Sequence, residues 1–175
     1  MTEARGASVH ASAVRVGNRA VLIRGPSGSG KSHLAFELIL SGRSGQIAQA
    51  VLVGDDRVYL DTDAGQLRVR PAAELAGLIE IRGLGIRRCA FAEDAIVGLV
   101  VDLAAPDAER LPPPEVLTTL ISGVSIPRIP VGVGYEPLPL VVAALTTTGS
   151  SSSINPSADC LKGIGNHISP TIATE

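Results

Sequence analysis

The sequence predicts an α/β domain built on a mixed, partly antiparallel sheet, and three observations carry that expectation. An apolar run, Ala20-Val21-Leu22-Ile23, leads through a glycine-rich stretch into residues at helical spacing, Leu34, Ala35, Leu38 and Ile39, which Ser41-Gly42 brings to a stop. Further strand-like runs are joined by Gly, Asn and Asp turns suited to hairpins, which a regular alternation of parallel strands and helices does not contain. At 175 residues and 45% hydrophobic content, the chain has the length of one domain and enough apolar material to close a core.

Taken in order, Ser8 to Val16 alternates in strand fashion and Gly17-Asn18 supplies a tight turn. Antiparallel pairing about that turn sets Val16 opposite Arg19, Val14 opposite Val21 and His10 opposite Gly25. His10 is then either about 5 Å, backbone to backbone, from the first loop glycine, or a surface histidine on a frayed strand. After the helix, Gly42 to Gln49 is a polar connection and Ala50 to Gly54 a second buried strand. Arg57 to Leu60 and Leu67 to Arg70 read as a hairpin around Asp61 to Gly65, and Pro71 to Leu78 as a short helix opened by proline. Leu78 to Ile86 reads as an amphipathic strand with a bulge, with Glu80 and Arg82 on one face and Gly83 and Gly85 allowing close backbone approach. Ile96 to Leu103 is a strong strand in which Asp102 reads as a structural strand end. Pro114 to Ser122 is expected to be a short helix, and Ile126 to Val131 and Leu138 to Leu145 two closing strands. The domain is expected to span 1–145, followed by a Thr, Ser, Gly, Pro and Asn rich tail, 146–175, without sustained periodicity and therefore expected to be disordered.

Composition excludes some functions. A formal charge of −2, no basic run and few aromatics give no basis for nucleic-acid binding, and Arg87-Arg88 reads as a solvated strand end. Cys89 and Cys160 lie far apart and read as free thiols of a reducing compartment. No apolar segment approaches membrane-spanning length and the first residues do not resemble a secretion signal, so a cytoplasmic protein is expected. His167 and Cys160 are discounted as metal ligands.

The chemistry is concentrated in Gly25-Pro26-Ser27-Gly28-Ser29-Gly30-Lys31-Ser32, which fits the phosphate-loop pattern. Glycines let the backbone fold into a nest of inward N–H groups that passes into the positive end of a helix. Lys31 reaches the terminal phosphates as a point charge and the Ser32 hydroxyl sits on magnesium. Because Lys31 and Lys162 are the chain's only lysines, a chance lysine in the pattern is less expected than in an ordinary sequence. Asp55 and Asp56 close the second strand at the end where ligands gather in open α/β sheets. One can hold magnesium while its neighbour takes a proton from an acceptor hydroxyl, or the pair is simply a turn.

The run Glu80-Ile81-Arg82-Gly83-Leu84-Gly85-Ile86 resembles the signature of the HPr kinase/phosphorylase family. Val9-His10-Ala11, the glycine loop, Val53-Gly54-Asp55-Asp56-Arg57-Val58 and Glu109-Arg110-Leu111 follow the family order, so the resemblance covers roughly Ser8 to Leu145. It is similar to short forms with the catalytic domain alone. The resemblance implies a P-loop kinase domain of the phosphoenolpyruvate carboxykinase-like type that transfers phosphate from ATP, with Mg2+, to a serine of an HPr-like phosphocarrier, and that also removes it by phosphorolysis. It implies that Gly25, Pro26, Ser27, Gly28, Ser29, Gly30, Lys31 and Ser32 bind the donor and that Ser32, Asp56 and Glu80 serve the metal. Asp55 is the implied general base, His10 sits beside the phosphates, and Arg110 stabilises charge in phosphorolysis. A hexamer is implied as well. The chain departs from many members in carrying His33 where they have an acidic residue, and in a short, proline-rich stretch from Ala104 to Pro114. Two other readings stand beside this one: a small-molecule kinase or NTPase, and a nucleotide-sensing module without catalysis.

Overall fold

Nine strands form one sheet and two more a separate hairpin, in a computed structural model that describes residues 6–149. The strands are β1 (Ala7–Val9), β2 (Ser12–Val16), β3 (Arg19–Arg24), β4 (Ala50–Gly54), β5 (Val58–Asp63), β6 (Gln66–Pro71), β7 (Leu78–Ile81), β8 (Gly85–Arg88), β9 (Ala95–Leu103), β10 (Thr118–Ile121) and β11 (Val124–Val131). Helix α1 runs Lys31–Arg43 and α2 runs Pro137–Thr146. The large sheet is ordered β1-β5-β6-β9-β3-β2-β4, with β11 also pairing β9 and β10 pairing β11, while β7 and β8 pair with each other. The β3–β9 and β9–β11 pairs are parallel and the other strand pairs antiparallel, so the fold is α/β with a mixed, largely antiparallel sheet.

Alternation along β3 explains how the sheet buries both faces. Val21 and Ile23 point to one core with Leu34, Leu38 and Ile39 of α1, Leu52 of β4 and Val101 of β9. Ala20 and Leu22 point to the other, with Val58, Leu60, Leu67 and Val69 of the β5–β6 hairpin and Ile126 of β11. A β3 buried on both faces reads as a continuous apolar run for this reason. Gly54, at the end of β4, lies so close to the next hairpin that a Cβ there would stand 2.8 Å from Val58 Cγ1 and 3.2 Å from Pro71 Cα.

The β2–β3 hairpin has the expected register, Val16 opposite Arg19 and Val14 opposite Val21, but it ends at Ser12 opposite Ile23. The chain then crosses over, and Val9 pairs with Val58 of β5 instead. His10 is therefore not opposite Gly25. The β5–β6 strands are longer than expected, meeting at Ala64-Gly65, both at positive φ as a two-residue turn demands. Leu78 to Arg88 is a hairpin rather than one bulged strand, because the chain turns at Arg82 to Leu84; Arg82 thus leaves the strand face of Glu80.

Three expected elements are corrected. Pro71 ends β6, and only Ala73–Leu75 of the expected Pro71 to Leu78 helix forms, as a 3-10 turn. Pro114–Leu117 is likewise a 3-10 turn, after which Thr118 to Ile121 pairs with β11 about Ser122-Gly123. Leu138 to Leu145 is not a closing strand but lies in α2, begun by Pro137 at a position where a missing N–H costs nothing. A continuous apolar run carries no period that separates strand from helix, and Thr146 and Thr147 close this one by donating to the carbonyls of Val142 and Ala143. Among the described residues Cys89 has no disulfide partner; it is half-buried, and burial pushes its thiol up, with Arg43 opposing. Cys160, Lys162, His167 and the expected tail from residue 150 lie outside the described residues. Among the described residues no helix is long and apolar enough to cross a membrane.

Leu38, fully buried between α1 and the sheet, is a direct test of how α1 is seated. Leu38→Ala is expected to lower the unfolding free energy by about 2–5 kcal/mol, read from urea denaturation. A loss within experimental error of zero would mean that α1 does not rest on this core.

Candidate active site at the strand ends

The carboxyl ends of β3, β4 and β9 point the same way, since β3 and β9 are parallel and both β3 and β4 run antiparallel to β2. From β3 the chain turns through residues 25–30 and enters α1. Gly25, Gly28 and Gly30 have φ of 151°, 77° and 96°, a region costly for other residues. A Cβ on Gly25 would meet Ser29 Oγ at 2.6 Å and Leu103 at 3.0 Å, so close packing as well as conformation demands glycine there. Around Gly28 and Gly30 a Cβ would meet nothing within 4 Å, which leaves the outer face of the loop open. Gly30 is the N-cap of α1 and gives it no side-chain cap, so the first amides of the helix keep their capacity to bind an anion. Lys31, 6% exposed, folds its ammonium back onto the Gly25 and Pro26 carbonyls at 3.0 and 2.9 Å. Ser29 Oγ is buried without a hydrogen-bond partner among the described residues.

Asp55 is the junction. Only 4% exposed, its Oδ1 accepts from Ser12 Oγ at 2.5 Å and Ser32 Oγ at 2.9 Å, and its Oδ2 accepts from the Glu80 backbone N–H at 3.1 Å. Strand β2, helix α1 and the β7–β8 hairpin are thereby tied to the end of β4. Asp56 points elsewhere. The Arg57 N–H donates to the Asp55 carbonyl at 2.8 Å, closing a three-residue turn with Asp56 at its centre at φ 66°, the strained form of the γ-turn. Strain of this kind collects at functional sites. The Asp56 side chain, 69% exposed, meets His10 Nε2 at 3.1 Å. Ser8, His10, Asp56 and Arg57 line an open depression of about 300 Å³.

Of the residues singled out from sequence, the structure joins Ser32 to Asp55, Asp55 to the Glu80 backbone, and His10 to Asp56, while Lys31 sits on its own loop. His10 reaches this end by the crossover from β2 to β5 rather than through the hairpin register. The Glu80 side chain is exposed, and Arg110 is exposed and makes no ion pair among the described residues. His33 is exposed and meets Glu37 at 3.5 Å along the helix. Ser12 was not singled out, although its register opposite Ile23 places it beside the loop; the hairpin pattern held that information.

A second charged cluster lies beside the first. Arg24, the last residue of β3, sends two nitrogens to Asp102 at 2.7 and 2.8 Å. Arg128 of β11 donates to the same carboxylate at 2.5 Å and grips both oxygens of Asp107 at 2.7 and 3.0 Å. Asp102 is therefore more than a strand end. Burial pushes its carboxyl up, but the hydrogen bonds and charges of Arg24 and Arg128 outweigh this and hold it below the ordinary value. Asp107 is also held down, by its hydrogen bond from Arg128.

A magnesium ion fits the donor set. Among the described residues no three His, Cys, Asp or Glu side chains form a metal cage. Hydroxyl and carboxylate oxygens do converge at Ser32 and Asp55, and magnesium takes one or two protein carboxylates and completes its shell with water and phosphate.

The family model described as HPr Serine kinase C-terminal domain matches residues 2–159. An HPr kinase/phosphorylase from Bordetella pertussis is 35% identical over 155 residues, covering 81% of this chain and 48% of the relative. One from Lacticaseibacillus casei (strain BL23) is 38% identical over 141 residues, covering 73% and 42%. The solved Hpr(Ser) kinase/phosphatase from Coxiella burnetii superposes with a TM-score of 0.62 at 29% identity, covering 78% of this chain and 91% of that one. The chain spans less than half the length of the curated relatives it matches.

The depressed Asp102 carboxyl stabilises the fold fully above the unfolded-state value and progressively less as pH falls through the lower folded-state value. In the wild type the urea midpoint is expected to fall from about pH 5 downward, and Asp102→Asn is expected to make that fall shallower. Equal acid slopes would mean that this pairing contributes nothing to pH-dependent stability.

Proposed function

Because the chain belongs to the HPr serine kinase C-terminal domain family, we propose that it is an ATP- and Mg2+-dependent kinase of the cytoplasm that phosphorylates a serine of an HPr-like phosphocarrier, with phosphorolysis as its reverse activity. The observation that carries the reading is the pairing at the end of β4: a buried Asp55 bonded to Ser32, and an exposed Asp56 beside His10.

The loop amides and the uncapped start of α1 receive the donor phosphates. Lys31 exchanges its two carbonyl partners for phosphate oxygens, so that its charged donor gains charged acceptors. Bound magnesium would neutralise the phosphate charge, and Ser32 and Asp55 would hold it, with the carboxylate of Glu80, whose backbone meets Asp55, serving it through water. The seryl oxygen attacks the terminal phosphorus, the bond to the ADP oxygen breaks, and a carboxylate takes the seryl proton. In reverse, an oxygen of inorganic phosphate attacks the phosphoserine phosphorus, the seryl oxygen leaves with a proton from that carboxyl group, and pyrophosphate forms. Arg110 supplies positive charge to that step. Phosphoryl transfer depends mainly on positioning and charge, which these residues supply.

Burial favours exchanging the roles expected from sequence for the two aspartates. Three donors already occupy Asp55, and a serine on another protein cannot approach a carboxylate that is 4% exposed as readily as one in an open depression. Asp56 is thus the better proton acceptor, assisted by His10, and Asp55 the better partner of Ser32 on the metal side. The hexamer and the 1–145 domain limit are retained as parts of the proposal.

Incubating the chain with labelled ATP and an HPr protein tests the activity: the account expects label on serine. Label on a metabolite, on free phosphate alone, or nucleotide binding without transfer would replace it with one of the other two readings. Asp56→Asn is expected to slow serine labelling by about a hundredfold or more while leaving nucleotide binding intact. Asp55→Asn is expected to weaken binding of magnesium with nucleotide as well. If Asp55→Asn alone stops transfer with binding intact, the proton goes to Asp55 instead.

A further inference from the structure

The charged cluster next to the glycine loop reaches past the strands it joins. Its first member, Arg24, directly precedes Gly25, and its last, Asp107, stands in the stretch between β9 and the 3-10 turn at Pro114–Leu117. That stretch starts against the loop, since a Cβ on Gly25 would lie 3.0 Å from the Leu103 carbonyl oxygen. It leaves through Ala104 at φ 55°, and the Ala105 N–H donates to the Val131 carbonyl at 2.9 Å. The Arg128 guanidinium then forks, with Nε on Asp102, two nitrogens on Asp107, and a further bond to the Val116 carbonyl at 3.0 Å. Only arginine has donors enough, in a fixed plane, to hold both carboxylates at once.

We propose that Asp107, gripped by Arg128, is a positioning residue that holds the segment carrying Arg110 beside the glycine loop. Arg110 follows three residues later, so with Asp107 fixed its Cα stays within about 11 Å of the anchor. Among the described residues this grip is the one side-chain hydrogen bond or ion pair of the stretch from Pro106 to Pro113, beside the local bond from the Ala108 N–H to the Ala105 carbonyl. This inference rests on the reverse reaction proposed above, in which Arg110 stabilises charge on the phosphates. Asp107 itself touches no reacting atom. Its side chain is 40% exposed, so neutralising it does not open the core.

The test is a cycle of Asp107→Asn, Arg110→Ala and the double variant. It reads pyrophosphate released from seryl-phosphorylated HPr and inorganic phosphate, together with amide hydrogen exchange. Each single variant is expected to lower kcat for pyrophosphate release by about tenfold or more, and the double variant to be no slower than the slower single one. In Asp107→Asn, amides of Ala108 to Leu111 are expected to exchange about tenfold faster while those of β9 and α1 do not change. Multiplying rate losses, unchanged exchange at Ala108 to Leu111, or faster exchange throughout β9 and α1 would each overturn the inference. A wild type that labels serine but releases no pyrophosphate would overturn it together with the reverse reaction, and leave the kinase reading standing. A wild type that does neither would remove both.

Discussion

A carboxylate taken out of water must find donors, and at Asp55 that requirement organises the molecule. The side chains of Ser12 and Ser32 and the backbone of Glu80 meet on its two oxygens, from three segments far apart in sequence. Removing any one partner leaves the others around a buried charge that is less well satisfied, so the hairpin, the helix and the strand end are fixed together. The glycine loop inherits its placement from this junction, because Ser32 lies in the first turn of α1.

Topology supplies the rest of the site. Parallel pairing of β3 with β9 and of β9 with β11 brings Arg24, Asp102 and Arg128 together, and sets the segment after β9 against Gly25. Two charged systems thus flank the loop: one centred on Asp55, buried and sparing in charge, the other made of alternating arginines and aspartates. Between them lies a helix start with no side-chain cap and a lysine that, among the described residues, donates to backbone carbonyls alone. In the proposed function the loop exchanges those neutral partners for a polyanion. On the Asp56 side the backbone is strained and the carboxylate open, which suits the proposed meeting with an acceptor protein.

Much of this was legible in the chain because the signals were local. The strand, glycine loop and helix are contiguous, the Gly17-Asn18 turn fixes the register of β2 on β3, and β9 is apolar on both faces. What could not be read depended on distant contacts. His10 comes to Asp56 because β1 leaves the hairpin for β5, a choice made by pairing partners and not by the alternation of Ser8 to Val16. The roles of Asp55 and Asp56 turn on which way each side chain points after β4, and a γ-turn decides that. Pro137 to Thr146 is apolar on every side, so no period separated helix from strand. Asp102 looked like an ordinary strand end because its partners, Arg24 and Arg128, are 78 and 26 residues away.

The central claim is a division of labour between adjacent aspartates, and a structure of this chain with a non-hydrolysable ATP analogue, Mg2+ and an HPr protein tests it most directly. The account predicts the acceptor seryl oxygen within hydrogen-bond reach of Asp56, roughly 2.6–3.2 Å, with Asp55 still beside Ser32 and away from the acceptor. A seryl oxygen on Asp55, or an acceptor docked away from His10 and Asp56, would contradict it.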